Sequence, residues 1–312
     1  MKTKKKYHGT IVPLVTPINT KYQLDKEAVA RILENLKQFN ASPFILGTTG
    51  ESALLTNQLK LEYLETVAGI RSTEHKLYVG ISSNSMKETI DFSKRCFEFG
   101  ADAVVATLPF YYKLSERQIK KYFLQLADHV DGPMVIYNIP ATTHMSIPLN
   151  LLDELSLHDN IVATKDSERS EERLQESLSR WADRPDFSHL LGWAAKSAYA
   201  LLHGSDGLVP STGNLAPSIY DEMYKAIAEG SEEKAYYYQR QSDLLGDLYQ
   251  KGRTLGESLW ALKILMQSVG LCEPHVMPPL QGSSTEEINL LKESFQQLIK
   301  EEGIKLNIYN HV

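Results

Sequence analysis

Between Gly9 and about Gly230 the chain repeats one pattern eight times: a short apolar run rich in β-branched residues, then a stretch of helical period. The apolar runs lie at 10–15, 44–46, 77–81, 103–107, 134–137, 161–164, 188–191 and 207–209. Helical patterns follow at about 26–39, 57–71, 86–99, 116–130, 148–156, 170–181, 195–203 and 215–229. Such alternation implies βαβ units and a parallel sheet, because parallel neighbours need a crossover long enough for a helix. Eight strands is the number that closes a barrel. An open doubly wound sheet alternates in the same way, but it calls for a GxGxxG turn after the first strand. Residues 10–16 contain none. The sequence therefore predicts an α/β fold of the (β/α)8 TIM barrel type.

After Gly230 the strand signals stop, and helical stretches follow at about 231–250, 255–269 and 284–301. The last opens on Ser284-x-x-Glu287, the spacing of a capping box, as do Ser115 and Gln118 earlier. The expected organisation is a barrel over 1–230 and a C-terminal three-helix extension over 231–312, packed on the barrel. A chain of 312 residues accommodates that as one barrel with an addition.

The charge balance bears on partners. A net charge of −6 argues against a nucleic-acid groove, which carries a basic stripe. Lys2, Lys4, Lys5 and Lys6 at the start read as a solvated end. No run approaches the ~20 apolar residues of a membrane span, so no membrane partner and a cytoplasmic location are expected. Cys96 and Cys272 stand apart with no CxxC or CxxH spacing, so neither a zinc site nor a disulfide framework is expected.

In a barrel the chemistry sits where strands end at the C-terminal face. The sixth run, Ile161-Val162-Ala163-Thr164, ends in Lys165-Asp166. With a side-chain period of two, Lys165 shares a face with Ile161 and Ala163, while Asp166 points the other way. Facing the lumen, its amine would sit at the mouth of an apolar barrel. A free lysine is uncharged in only roughly one molecule in a few thousand at pH 7. Desolvation lowers the pKa and makes a Schiff-base former of it, whereas a lysine snorkelling to water would be inert. The fifth run ends in Tyr137-Asn138-Ile139-Pro140, and a phenol there either relays protons or fills the core. The second ends in Gly47-Thr48-Thr49-Gly50-Glu51, whose amides and hydroxyls suit a carboxylate. The same string also reads as a structural turn, with Glu51 bracing neighbouring loops.

Taken together, Gly47-Thr48-Thr49-Gly50-Glu51, Tyr137-Asn138-Ile139-Pro140 and Lys165-Asp166-Ser167 resemble the dihydrodipicolinate synthase and N-acetylneuraminate lyase superfamily of pyruvate-dependent class I aldolases. The resemblance spans nearly the whole chain. It implies that Lys165 forms an imine with pyruvate or a substrate's 2-oxo group, that Tyr137 transfers protons, and that Thr48, Thr49 and Gly50 hold the carboxylate. Tyr111 matches a tyrosine that in many members crosses a dimer interface to complete a relay with Thr48 and Tyr137. A homodimer, often paired into a homotetramer, is implied with it. The Val209 carbonyl would lie beside the amine, and Gly192 and Ser211 would line the aldehyde side. The imine itself is the electron sink, so no metal and no organic cofactor is expected.

Two departures bear on the substrate. Dihydrodipicolinate synthases follow the YNxP segment with an arginine that clamps the carboxylate of aspartate semialdehyde, and here that position is Thr142. Where sialic acid lyases carry acidic residues after the seventh strand, this chain has Gly192-Trp193-Ala194-Ala195. The reading that follows is cleavage of a 2-oxo-3-deoxy sugar acid, or a related 4-hydroxy-2-oxo acid, to pyruvate and an aldehyde. Its rivals are dihydrodipicolinate synthesis, a dehydratase or deaminase using the same imine, and a non-catalytic 2-oxo acid sensor. His144 stands where glycine is frequent, and Glu168 and Arg169 where small polar residues are usual. Each reads either as a contact to a polar aldehyde tail or as a solvated loop and surface ion pair, so no role is assigned to them.

Overall fold

The computed structural model describes residues 5–309. Eight parallel strands follow one another in chain order around a closed barrel: β1 (Gly9–Pro13), β2 (Ser42–Ile45), β3 (Tyr78–Gly80), β4 (Ala103–Thr107), β5 (Met134–Asn138), β6 (Ile161–Asp166), β7 (Ser188–Leu191) and β8 (Gly207–Leu208). The barrel helices are α1 (Lys26–Lys37), α2 (Asn57–Ile70), α3 (Met86–Glu98), α4 (Glu116–Ala127), α5 (Pro140–Thr143), α6 (Leu149–Leu155), α7 (Glu171–Arg180) and α8 (Ser197–Leu202). After β8 come α9 (Pro217–Ala228), α10 (Glu232–Gln250), α11 (Leu255–Ser268) and α12 (Thr285–Glu302). The predicted barrel with added C-terminal helices is the observed fold.

Local chemistry explains most element boundaries. Asp25, Thr56, Ser85, Ser170 and Ser231 each cap a helix, their side chains accepting the backbone N–H of the third residue after the cap. At α4 the Gln118 side chain accepts from the Ser115 amide at 2.8 Å, as the spacing predicts. At α12 only half of the expected box forms: Ser284 caps Glu287, but the Glu287 carboxylate turns to Arg253 at 2.9 Å. A half-buried, charged guanidinium is a stronger partner for the carboxylate than a solvated backbone amide. A box that the sequence reading did not single out, Thr254 with Glu257, opens α11.

The chain divides into two compact units. One comprises residues 5–11 and 76–210, the other 12–75 and 211–309. In the first, β4, β5, β6, β7 and β8 run side by side, and their register contains one irregularity. Met134 pairs with Ile161 but Val135 pairs with Ala163, so β6 carries one extra residue, Val162. Such a bulge resets everything downstream. It brings Lys165 opposite Tyr137 and Asp166 opposite Asn138. The alternation counted from Ile161 is interrupted there; from Ala163 to Lys165 it runs unbroken.

Lys5 departs from the expected solvated end. Its side chain is largely buried, and its ammonium reaches Asp206, the Trp181 carbonyl and the Phe187 carbonyl, each at 2.9 Å. Three strong acceptors offset its desolvation, as a buried cation requires. Lys6 is exposed, and Lys2 and Lys4 lie outside the described residues.

In the second unit Lys263 of α11 is wholly buried. Its ammonium contacts Glu51 Oε1 at 2.6 Å and the carbonyls of Thr16 and His275 at 2.8 and 2.6 Å. The other Glu51 oxygen accepts the Met277 amide at 2.6 Å. Glu51 thus braces its surroundings, one of the two readings its position in the sequence allowed.

Candidate active site

Lys165 is the penultimate residue of β6, with only 4% of its surface exposed. Its amine lies 3.8 Å from the centroid of the Tyr137 ring, the register partner on β5. Burial pushes the amine below its ordinary pKa, while the Tyr137 phenol opposes that shift. Desolvation outweighs the phenol, and lowering the pKa of an amine favours its uncharged, nucleophilic form. A lysine snorkelling to water would keep its charge; this one is held in the protein beside a phenol. Leu190 of β7 flanks it on the other side.

The residues after this pair, Asn138 and Asp166, point to a polar cluster that the sequence reading did not identify. Asp166 accepts from Asn138 Nδ2 at 3.0 Å, from the Glu168 amide at 2.9 Å and from Arg173 Nε at 2.6 Å. Asn138 also donates to Glu168 at 2.9 Å and accepts the Ile147 amide at 3.0 Å. The signal was available in the sequence: both polar residues stand one position after a proposed chemical residue, hence on the opposite face of their strands.

Other candidates in the same unit find definite places. The Gly192 amide donates to the Asp166 carbonyl at 2.6 Å, and a Cβ on Gly192 would meet Ser167 Oγ at 2.0 Å. Only glycine permits that approach of β7 to the end of β6. Val209 is buried, with its amide bonded to the Leu191 carbonyl at 2.7 Å. Thr142 is half-buried in α5 and its hydroxyl donates to the Ile139 carbonyl at a long 3.4 Å, while the Thr143 hydroxyl bonds the Ile139 and Met145 carbonyls at 3.0 and 3.1 Å. His144 ends α5 with φ 57°, a left-handed conformation that glycine adopts freely and histidine tolerates. That is a backbone reason for a frequent glycine at this place. Arg169 and Tyr111 are exposed, Tyr111 to 78%.

In the second unit the Gly47–Glu51 segment is a tight turn. The Gly50 and Glu51 amides donate to the Gly47 and Thr48 carbonyls at 3.1 and 3.0 Å. Thr16 Oγ1 donates to the Gly50 carbonyl at 2.6 Å, so both backbone groups of Gly50 are engaged by the fold. Thr49 is buried and Thr48 half-buried. Ser211 Oγ lies 2.7 Å from the Tyr249 hydroxyl, a partner the sequence did not suggest. Among the described residues no group of three or more His, Cys, Asp or Glu is placed to hold a metal ion, and no helix is long and apolar enough to cross a membrane.

A closed parallel barrel with a buried lysine near the end of its sixth strand, beside a tyrosine, has the makings of a site for Schiff-base chemistry. Residues 6–299 match the Dihydrodipicolinate synthetase family. The chain belongs to that family, whose members are pyruvate-dependent lyases that work through a lysine imine. The 4-hydroxy-tetrahydrodipicolinate synthase of Aquifex aeolicus is 28% identical, over 92% of this chain and 96% of its own. The dihydrodipicolinate synthase structure of Bacteroides thetaiotaomicron superposes with a TM-score of 0.89 at 26% identity, covering 95% of this chain and all of that one. The structure of YagE from Escherichia coli K12 in complex with pyruvate superposes with a TM-score of 0.88 at 28% identity, covering 94% of this chain and 99% of that one. The latter protein is described as a putative 2-dehydro-3-deoxy-D-gluconate aldolase.

Proposed function

We propose that the protein is an aldolase that cleaves, and in reverse forms, a 2-oxo-3-deoxy sugar acid or a related 4-hydroxy-2-oxo acid, giving pyruvate and an aldehyde. Lys165 condenses with the 2-oxo group and releases water. Tyr137 takes the proton of the 4-hydroxyl, the bond between C3 and C4 breaks, and its electron pair moves into an enamine stabilised by the lysine nitrogen. The aldehyde leaves. Protonation of the enamine at C3 and hydrolysis then release pyruvate and the free amine. Thr48 and Thr49 are assigned the pyruvate carboxylate, with Gly50 shaping their turn, and Val209, Gly192, Ser211 and Thr142 the remaining substrate contacts. Tyr111, exposed on one chain, is assigned to the interface of a homodimer or homotetramer.

The observation that carries the substrate class is Thr142. It stands where the family's synthases have their carboxylate-clamping arginine, and it has only one half-buried hydroxyl, held by a long 3.4 Å hydrogen bond to the Ile139 carbonyl. Arg173, a guanidinium further along the chain, is already engaged by Asp166 at 2.6 Å. A carboxylate brought to a site without its charged partner forfeits a strong charge-assisted pair and is desolvated as well, together a loss of a few kcal/mol. A neutral hydroxylated aldehyde incurs neither loss. Comparison of kcat/KM for pyruvate condensation is expected to favour glyceraldehyde or a larger sugar aldehyde over aspartate semialdehyde by on the order of a hundredfold. Better use of the semialdehyde than of every sugar aldehyde would overturn the assignment.

A further inference from the structure

Glu168 is neither free at the surface nor paired in the way a solvated loop would pair it. Its Oε2 accepts from Ser146 Oγ at 2.6 Å and from Asn138 Nδ2 at 2.9 Å, and Arg173 Nε lies 3.4 Å away. Its own amide is fixed on Asp166 at 2.9 Å. Asn138 is fully committed: its amide nitrogen serves Asp166 and Glu168, and its oxygen takes the Ile147 amide at 3.0 Å. Residues 139–147, which carry Thr142 and His144, are thus secured at their far end to the β5 and β6 strand ends. Ser146 contributes one of these ties through Glu168, and Ile147 the other through Asn138. At the near end the Thr143 hydroxyl stitches the loop to the Ile139 carbonyl at 3.0 Å.

We propose that Glu168 is a positioning residue that sets aldehyde selectivity, holding the Thr142 loop through Ser146 while leaving the chemistry of Lys165 untouched. The proposal rests on the aldolase reading above. Glu168 touches no substrate; it fixes the backbone that presents Thr142, and displacement of a positioned hydroxyl by an ångström is enough to lose its hydrogen bond to a bound aldehyde. A carboxylate suits the task because it can accept from a hydroxyl and an amide at once, with Arg173 balancing its charge.

The test uses Glu168→Ala, Glu168→Gln and Ser146→Ala in the full chain, the last a change at an exposed residue. Two quantities are read: the yield of borohydride-trapped pyruvate adduct on Lys165, and kcat/KM for glyceraldehyde relative to propanal. Glu168→Ala is expected to raise KM for glyceraldehyde and lower the glyceraldehyde preference by on the order of tenfold. Ser146→Ala should do so by a smaller factor, and Glu168→Gln, which keeps an acceptor, should recover part of the loss. The pyruvate adduct should stay within about twofold of wild type, since a tie to the loop does not reach the amine. An unchanged aldehyde preference in both Glu168→Ala and Ser146→Ala, with the adduct intact, overturns this proposal alone. A parallel fall of adduct and preference also overturns it, because Glu168 would then act on the lysine strand. Absence of adduct in the wild type would defeat the aldolase reading and this one together.

Discussion

Substitution of Lys263 by methionine is expected to lower the stability of the protein by about 3–5 kcal/mol, the usual consequence of leaving one member of a buried ion pair alone. The side chains of Lys263 and Glu51 are both completely inaccessible to solvent. The ammonium has three oxygen partners and the carboxylate has a second donor in the Met277 amide. Removing the cation strands a carboxylate that cannot reach water and retains one neutral partner, and the Thr16 and His275 carbonyls lose their donor. At the scale appropriate to a chain of this size, the midpoint of thermal unfolding should fall by about 5–8 °C. Adding Glu51→Gln to the methionine variant should restore part of the loss, because it discharges the stranded carboxylate. A single variant melting within a degree of wild type would mean that the pair contributes nothing net, and a double variant no better than the single would locate the cost elsewhere.

The largest expected effect on turnover comes from Tyr137→Phe. The variant removes one oxygen from a ring that packs 3.8 Å from the Lys165 amine and leaves the ring itself in place. Imine formation should remain measurable, since the amine owes its depressed pKa first to burial. Cleavage of the carbon–carbon bond should slow by roughly a hundredfold or more, the scale of a lost acid–base group. The two steps are separated by following pyruvate adduct formation alongside steady-state cleavage. Wild-type cleavage rates in the variant would make the phenol a core residue and remove it from the mechanism. Equal loss of imine and of cleavage would instead point to a damaged lysine environment.

These side chains differ in how openly the sequence announces them. Lys165 and Tyr137 stand at the ends of apolar runs whose alternation identifies strands, and the end of a barrel strand is where chemistry collects. What cannot be read there is the bulge at Val162 that brings the two into register, because no local residue marks it. Lys263 lies in Leu259-Trp260-Ala261-Leu262-Lys263-Ile264-Leu265-Met266, where a charge within so apolar a run was a usable signal. Its partner Glu51 is 212 residues distant, so only the fold could supply the pairing. The single turn of α5 escaped for a different reason: four residues begun by a proline are too short to display a period. Glu168 is unusual in the sequence but carries no role there, since its partners Ser146 and Asn138 lie 22 and 30 residues upstream. The burial of Lys5 is not legible in the sequence, because a basic cluster near the start of a chain is ordinarily solvated and its acceptors Trp181, Phe187 and Asp206 are far along the chain. Periodicity reveals elements and their ends, while ties between distant polar groups are decided by tertiary packing.

The central claim is that the buried amine of Lys165 carries the reaction as an imine. Its most direct measurement is reduction with borohydride in the presence of pyruvate, followed by mass analysis of the peptide containing residue 165. The account predicts a pyruvate-derived mass on Lys165, loss of activity in proportion to its incorporation, and no adduct in a Lys165→Met variant. An unmodified Lys165 peptide, under conditions that trap a control aldolase, would contradict it.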